Sequence, residues 1–292
     1  MSVGATPNID ATLARRLVDT QFPRWAGLPL RLHDPAGSDH VIYRLGDELS
    51  VRLPRHDGAI GQARKEAEWL PRLAPHLPLA VPVPVEVGEP DFGYPWPWAV
   101  SRWLDGEVAT VEALSGSHEA AEALAGFLQA LHRFDAEPTG IAAPLSTRDA
   151  ATRSAIAEVP FDRVRMTELW DAALAAPQQD PVWRHGDFHT GNLLTTEGRL
   201  SAVIDFGEFG VGDPALDLII AFTLLSAGTR ATFRAALGVD DATWTRGRGW
   251  ALATGLNAYV HHAAVNPRVA EQTTRQITQA LEDEGPHASH RS

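Results

Sequence analysis

Residues 182–207, VWRHGDFHTGNLLTTEGRLSAVIDFG, decide how the rest of the chain is read. Two short apolar stretches, near 193–194 and 201–204, bracket a turn at Glu197-Gly198 and predict a tight pair of strands. Just outside them stand Asp187, Asn192 and Asp205. Strand ends hold side chains rigidly, which is what a catalytic group requires. The residue types suit phosphoryl transfer, in which the protein holds metal ions on phosphates and orients an attacking hydroxyl. Magnesium prefers hard oxygen ligands, so a carboxylate and an amide oxygen are suitable. A second carboxylate can then accept or orient the hydroxyl proton.

Asp187 and Asn192 reproduce the D-x-x-x-x-N spacing of a kinase catalytic loop, and Asp205-Phe206-Gly207 is a literal D-F-G. HGDFHTGNLL followed by VIDFGEFGVGDPALDL resembles the signature of the aminoglycoside phosphotransferase family, kinase-like phosphotransferases of small molecules. RLGDELSVRLPRH, KEAEWLPRLAPHLPL and YPWPWAVSRWLDGE also resemble that family, so the likeness covers most of the chain. The resemblance implies ATP and Mg2+ as cofactors, Asp187 as catalytic base, and Asn192 and Asp205 as magnesium ligands. It implies that His185 packs beneath the loop and that Asp217 braces the loop through its backbone. It also implies an α+β, bilobal protein-kinase-like fold, with a β-rich N-terminal lobe and a larger, mainly helical C-terminal lobe.

The pattern along the chain agrees with that division. Residues 40–45 and 48–53 flank Gly46-Asp47 and predict a β-hairpin. Ile60, Ala63, Ala67 and Leu70 predict a helix from about 60 to 74. The proline-rich passage 77–98 should hold only short or edge strands, because proline removes a ladder donor. PWAVSRWL then reads as a buried strand ending near Asp105-Gly106, and from 117 onward the chain should be mainly helical, with an apolar stripe at Leu124, Phe127, Leu128, Leu131 and Phe134. We place a nucleotide-binding lobe at 1–103 and a catalytic, substrate-binding lobe at 104–292. The polar tail GPHASHRS is expected to fray.

The nucleotide site departs from the kinase pattern. The strand lysine that touches phosphates is replaced by Arg52 in LSVRLP, while Lys65, the only lysine, sits on the following helix. Arginine keeps the charge and can grip phosphate with two prongs, but it is not equivalent to lysine. Its partner is expected to be Glu66, which borders the apolar stripe, rather than Glu68, which neighbours Arg64 and Arg72 at i±4 spacing. Gly37 and Ser38, in the short loop before the second strand, are expected to offer backbone N–H groups and a hydroxyl to phosphate. Ser101, Arg102 and Trp103 mark the connector where an adenine edge should meet backbone groups.

Among the 292 residues there is no cysteine, which excludes disulfides and thiolate metal sites. No apolar run is long enough to span a membrane, and the start lacks a signal-peptide pattern, so a soluble cytoplasmic protein is expected. A net charge of −12 disfavours nucleic acid and is compatible with a polycationic acceptor such as an aminoglycoside. Glu208, Asp240, Asp241, Glu271 and Glu282 are the carboxylates available for such an acceptor, while nine tryptophans would equally support an apolar one. Two other readings stay open: a catalytically silent nucleotide-binding regulator, and a metal-dependent hydrolase using His185, Asp187 and His189.

Overall fold

The computed structural model describes residues 8–33, 39–135 and 140–282. Its internal contacts divide the chain into two units, Met1–Gly106 with Ala202–Gly207, and Glu107–Ser201 with Glu208–Ser292. Gly37, Ser38 and the GPHASHRS tail lie outside the described residues.

The first unit opens with helix α1 (Ala11–Gln21), capped by Asp10, whose carboxylate accepts from the Leu13 N–H at 2.8 Å. Strands β1 (Leu30–His33), β2 (His40–Leu45) and β3 (Leu49–Pro54) follow. β2 and β3 form the expected hairpin, with Leu45 opposite Leu49 and Gly46 at φ +60° in the turn. Helix α2 (Gln62–Leu73) starts two residues later than predicted. Its inward stripe is Ala63, Glu66, Trp69, Leu70 and Leu73, while Ile60 precedes the helix and Ala67 is only half-buried. Strands β4 (Pro84–Gly88) and β5 (Trp98–Arg102) complete an antiparallel sheet in the order β1-β2-β3-β5-β4. β4 is an edge with an irregular register between Pro84 and Glu86, which is where proline's missing donor costs least. β3, near the middle, is buried along its whole length. Its core residues pack with Ala14, Leu17 and Val18 of α1 and with Tyr94 and Trp98.

In the second unit the order is β6 (Glu107–Val108), α3 (Val111–Leu114), α4 (His118–His132), α5 (Asp149–Glu158) and α6 (Arg163–Ala175). Then come β7 (Val182–Arg184), β8 (Leu193–Thr196), β9 (Arg199–Val203), whose last two residues count with the first unit, and β10 (Gly210–Gly212). Helices α7 (Ile219–Thr223), α8 (Ala227–Leu237), α9 (Asp241–His262) and α10 (Pro267–Glu282) close the described chain. Leu124, Phe127, Leu128 and Leu131 of α4 are buried, as their spacing predicts, and Phe134 lies past the helix end. The turn joining β8 and β9 has φ +53° at Glu197 and +77° at Gly198, the left-handed pair that matches the strand twist of a tight hairpin. Among the described residues no helix is long and apolar enough to cross a membrane.

His40, at the start of β2, is buried, and burial followed by the Arg52 charge pushes its pKa from 6.5 down to about 3. Burial also lowers His132. A histidine buried in its neutral form gains a proton only on unfolding. Stability is therefore full above the unfolded value and lost as pH falls below it. His40 alone should remove about 2 kcal/mol between about pH 6.5 and about pH 5, measurable by urea unfolding. A flat stability profile across that window would contradict this burial.

Candidate active site

The catalytic loop in the second unit is built from β7 outward. After Arg184 the chain turns through Gly186 at φ +91°, where an added Cβ would strike the Glu208 carbonyl oxygen. Only glycine fits there without strain. Asp217, fully buried, receives the loop from below: Oδ2 accepts from the His185 N–H at 2.7 Å and Oδ1 from the Gly186 N–H at 2.9 Å. The His185 ring is also fully buried, and its Nδ1 accepts from the Asp187 N–H at 3.3 Å. Two backbone-directed side chains thus hold the loop on which Asp187 stands.

Asp187 is half-exposed, and two neighbours occupy one of its oxygens. Asn192 Nδ2 donates to Asp187 Oδ2 at 3.1 Å and to the Asp187 carbonyl at 2.9 Å. His189 Nε2 lies 3.3 Å from the same Oδ2. His189 Nδ1 accepts from the Gly191 N–H at 3.0 Å, so in the neutral ring the proton sits on Nε2, facing Asp187. Partial burial pulls the Asp187 carboxyl up, but the His189 hydrogen bond, the His189 and His185 charges and the Asn192 amide outweigh it, leaving it below the ordinary aspartate range. It is therefore a carboxylate at neutral pH.

The first unit gathers a second group. Arg52 Nη1 donates to Glu66 Oε2 at 2.7 Å, and its Nη2 lies 3.6 Å from Asp205 Oδ1. Arg52 and Glu66 are buried, whereas the Asp205 side chain is 41% exposed. Burial pushes the Glu66 carboxyl up and the Arg52 guanidinium opposes it. Glu68 is exposed, and its helical neighbour Arg64 pairs with Glu89 instead, at 2.7 Å. Residues 202–207 join this unit through the Val203 N–H, which donates to Ala80 O at 2.9 Å, and through Lys65 Nζ, which donates to Gly207 O at 2.9 Å. Asp205 has φ +63°, a left-handed backbone that costs a non-glycine residue about 1–3 kcal/mol and concentrates at functional positions.

The Trp103 N–H donates to Glu48 O at 2.8 Å and the Arg102 N–H to Val83 O at 3.0 Å, so these two backbone donors serve the sheet edge. The Trp103 indole donates to Asp105 at 2.9 Å under the Arg44 guanidinium, and Ser101 is fully buried. Three of the five carboxylates considered for a cationic acceptor have local partners: Asp240 caps α9, Asp241 pairs with Arg234, and Glu282 accepts from Gln279. Among the described residues no three histidine or acidic side chains are grouped to hold a metal, and the Nδ1 atoms of His185 and His189 face backbone donors. That removes the geometric support for a hydrolase cluster. The bracing of Asp187 by His189 and the grip of Lys65 on Gly207 were not read from the sequence; a D-x-H pair at strand-like spacing was the one available signal for the former.

The sequence profile described as "Phosphotransferase enzyme family" matches residues 33–250, well over half the chain. The chain belongs to the phosphotransferase enzyme family. An aminoglycoside 3'-phosphotransferase of Escherichia coli is 30% identical over 115 residues, which cover 36% of this chain and 42% of that protein. The match thus spans less than half the length of that relative. The GDP complex of wild-type aminoglycoside 2'-phosphotransferase-IIIa superposes with a TM-score of 0.74 at 18% identity, covering 94% of this chain and 100% of that one. The apoenzyme of a macrolide 2'-phosphotransferase from Brachybacterium faecium gives 0.63 at 22% identity, covering 94% and 99%. At these identities the likeness shows the fold, the bilobal α+β architecture of kinase-like phosphotransferases.

Proposed function

We propose that this family member transfers the terminal phosphoryl group of ATP to a hydroxyl of a small molecule, in the cytoplasm, with magnesium as the accompanying ion. The observation that carries the reading is the Asp187 carboxylate, whose Oδ2 is occupied by His189 and Asn192, so that Oδ1 is the oxygen left to take a hydroxyl proton. The remaining donor set fits magnesium. With its nitrogen turned to Asp187, Asn192 presents an amide oxygen, and Asp205 presents a partly exposed carboxylate. Either residue could give magnesium an oxygen ligand, and the ion would offset charge on the phosphates during transfer. Arg52, steadied by Glu66, grips the phosphates in place of the strand lysine.

The chemistry balances simply. The acceptor oxygen bonds to the terminal phosphorus, the bond to the bridging oxygen breaks, the nucleoside diphosphate leaves, and Asp187 receives the hydroxyl proton. In this reading the first unit holds the nucleotide, and the second carries the base and the acceptor. Relatives named for aminoglycosides and macrolides make a hydroxyl-bearing antibiotic the acceptor to test first, with resistance as the cellular outcome.

The buried ion pair gives a discriminating check. Glu66→Ala frees the Arg52 guanidinium from its orienting partner and should raise the nucleotide KM roughly tenfold, the scale of one charge-assisted hydrogen bond. Glu68→Ala, on the exposed face, should leave it unchanged. Equal effects in steady-state kinetics would reject the assignment of Glu66.

A further inference from the structure

The chain has one lysine, Lys65, and it stands on α2 directly before Glu66. Gln62 lies three residues before Lys65 and four before Glu66, so the three side chains share one side of the helix. That side faces residues 205–207 and the arginine beside them. Lys65 Nζ donates to Gly207 O at 2.9 Å. Gln62 lies against Gly207 itself, where an added Cβ would come within 2.8 Å of its side-chain amide, and its Nε2 donates to Asp39 Oδ2 at 3.2 Å. Glu66 holds Arg52, whose Nη2 lies 3.6 Å from Asp205 Oδ1.

Asp205 needs such support. Its left-handed backbone, φ +63°, is a conformation that a non-glycine residue keeps only where its surroundings hold it. Two anchors flank it at equal spacing. Two residues before it, the Val203 N–H donates to Ala80 O at 2.9 Å, beside the parallel bridge of Ala80 with Ala202. Two residues after it, Gly207 O takes the Lys65 ammonium, and Phe206 between them is fully buried. Residues 107–201 separate this segment from the rest of the first unit, so bonds to distant residues hold it there. An ammonium on a four-carbon stem suits the second anchor, because one carbonyl oxygen offers no pair of acceptors for a planar fork.

We propose that Lys65 is a positioning residue for the phosphoryl transfer: by holding the Gly207 carbonyl it fixes the 205–207 turn, so that Asp205 keeps its left-handed backbone and its partly exposed carboxylate. The inference rests on the phosphotransferase reading above, in which Asp205 offers an oxygen to magnesium. Lys65 acts through Asp205 and does not take over the strand lysine's grip on the phosphates, which falls to Arg52. Neighbouring residues of α2 thus divide the work. Glu66 orients Arg52, and Lys65 orients Asp205.

Hydrogen exchange of the full chain, without nucleotide or metal, tests the anchor directly. It compares the wild type with Lys65→Met, which keeps the stem and loses the charge, and Lys65→Arg, which can still donate to one carbonyl. In Lys65→Met the amides of residues 202–208 should exchange about tenfold or more faster, the scale of one hydrogen bond from a charged group, while the hairpin at 40–54 keeps its protection. Lys65→Arg should stay close to the wild type. In transfer from ATP with magnesium to an aminoglycoside or a macrolide, Lys65→Met should lower kcat about tenfold with nucleotide KM little changed, the reverse of Glu66→Ala, and Lys65→Arg should recover most of the rate. Lys65→Gln, neutral and shorter, replaces the methionine variant if that does not fold. Unchanged exchange at 202–208, equal loosening of the hairpin, an undiminished kcat in Lys65→Met, or no recovery with arginine would overturn the inference. Failure of the underlying reading looks different: exchange at 202–208 responds to Lys65 as expected, yet the wild type adds phosphate to neither acceptor.

Discussion

Replacing Asp187 by asparagine should lower kcat by roughly 10²–10⁴, the range over which a positioned proton acceptor contributes, while the nucleotide still binds. The substitution is nearly isosteric and keeps an oxygen that can accept from Asn192 or from His189 Nε2–H. What it removes is the anionic Oδ1 that takes the proton. The effect should therefore fall on kcat and kcat/KM together, as expected for an interaction made in the transition state. Because the Asp187 carboxyl already lies below the usual aspartate range, wild-type turnover should not lose this group anywhere between about pH 5 and about pH 8. A variant with near-normal kcat would show that Asp187 is not the base. Loss of nucleotide binding in the same variant would show that the substitution disturbed more than proton transfer.

Asp217→Ala is the larger structural perturbation. It leaves the His185 and Gly186 N–H groups without the two carboxylate oxygens that now accept from them. Each buried donor left unsatisfied costs about 1–3 kcal/mol, so a total loss of about 2–6 kcal/mol is expected. Denaturant titration would register it as a lower midpoint at unchanged slope. Asp217→Asn, which still offers one acceptor, should retain part of both stability and turnover. If alanine and asparagine behave alike, or if alanine costs less than about 1 kcal/mol, the carboxylate is not what holds the loop.

The parts legible in the sequence were the local ones. The hairpin at 40–54 is declared by Gly46-Asp47 and by alternating apolar residues, and the structure pairs it over its whole length. The spacing from Asp187 to Asn192 is five residues, short enough that one turn brings the two side chains into contact. Glu66 was distinguishable from Glu68 because one helix position borders the buried stripe and the other does not. What was not legible depends on distant packing. The use of the Trp103 N–H by Glu48 follows from where β3 and β5 sit in register, which no local pattern encodes. Asp205, with its left-handed backbone, sits between Val203 and Gly207, which bond to Ala80 and Lys65 more than a hundred residues earlier. In the middle of α9 residues 249–253 are all buried, so the usual one-face periodicity is lost. A groove that it forms with α5 involves side chains about a hundred positions apart.

The central claim is that the chain moves a phosphoryl group onto a small-molecule hydroxyl. The direct measurement is mass detection of acceptor products after incubation with ATP or GTP and magnesium, across aminoglycosides, macrolides, amino alcohols and sugars. The predicted result is an acceptor heavier by one phosphoryl group, absent without magnesium and absent with Asp187→Asn. Nucleotide that binds and is never transferred, in the presence of every acceptor and magnesium, would contradict it.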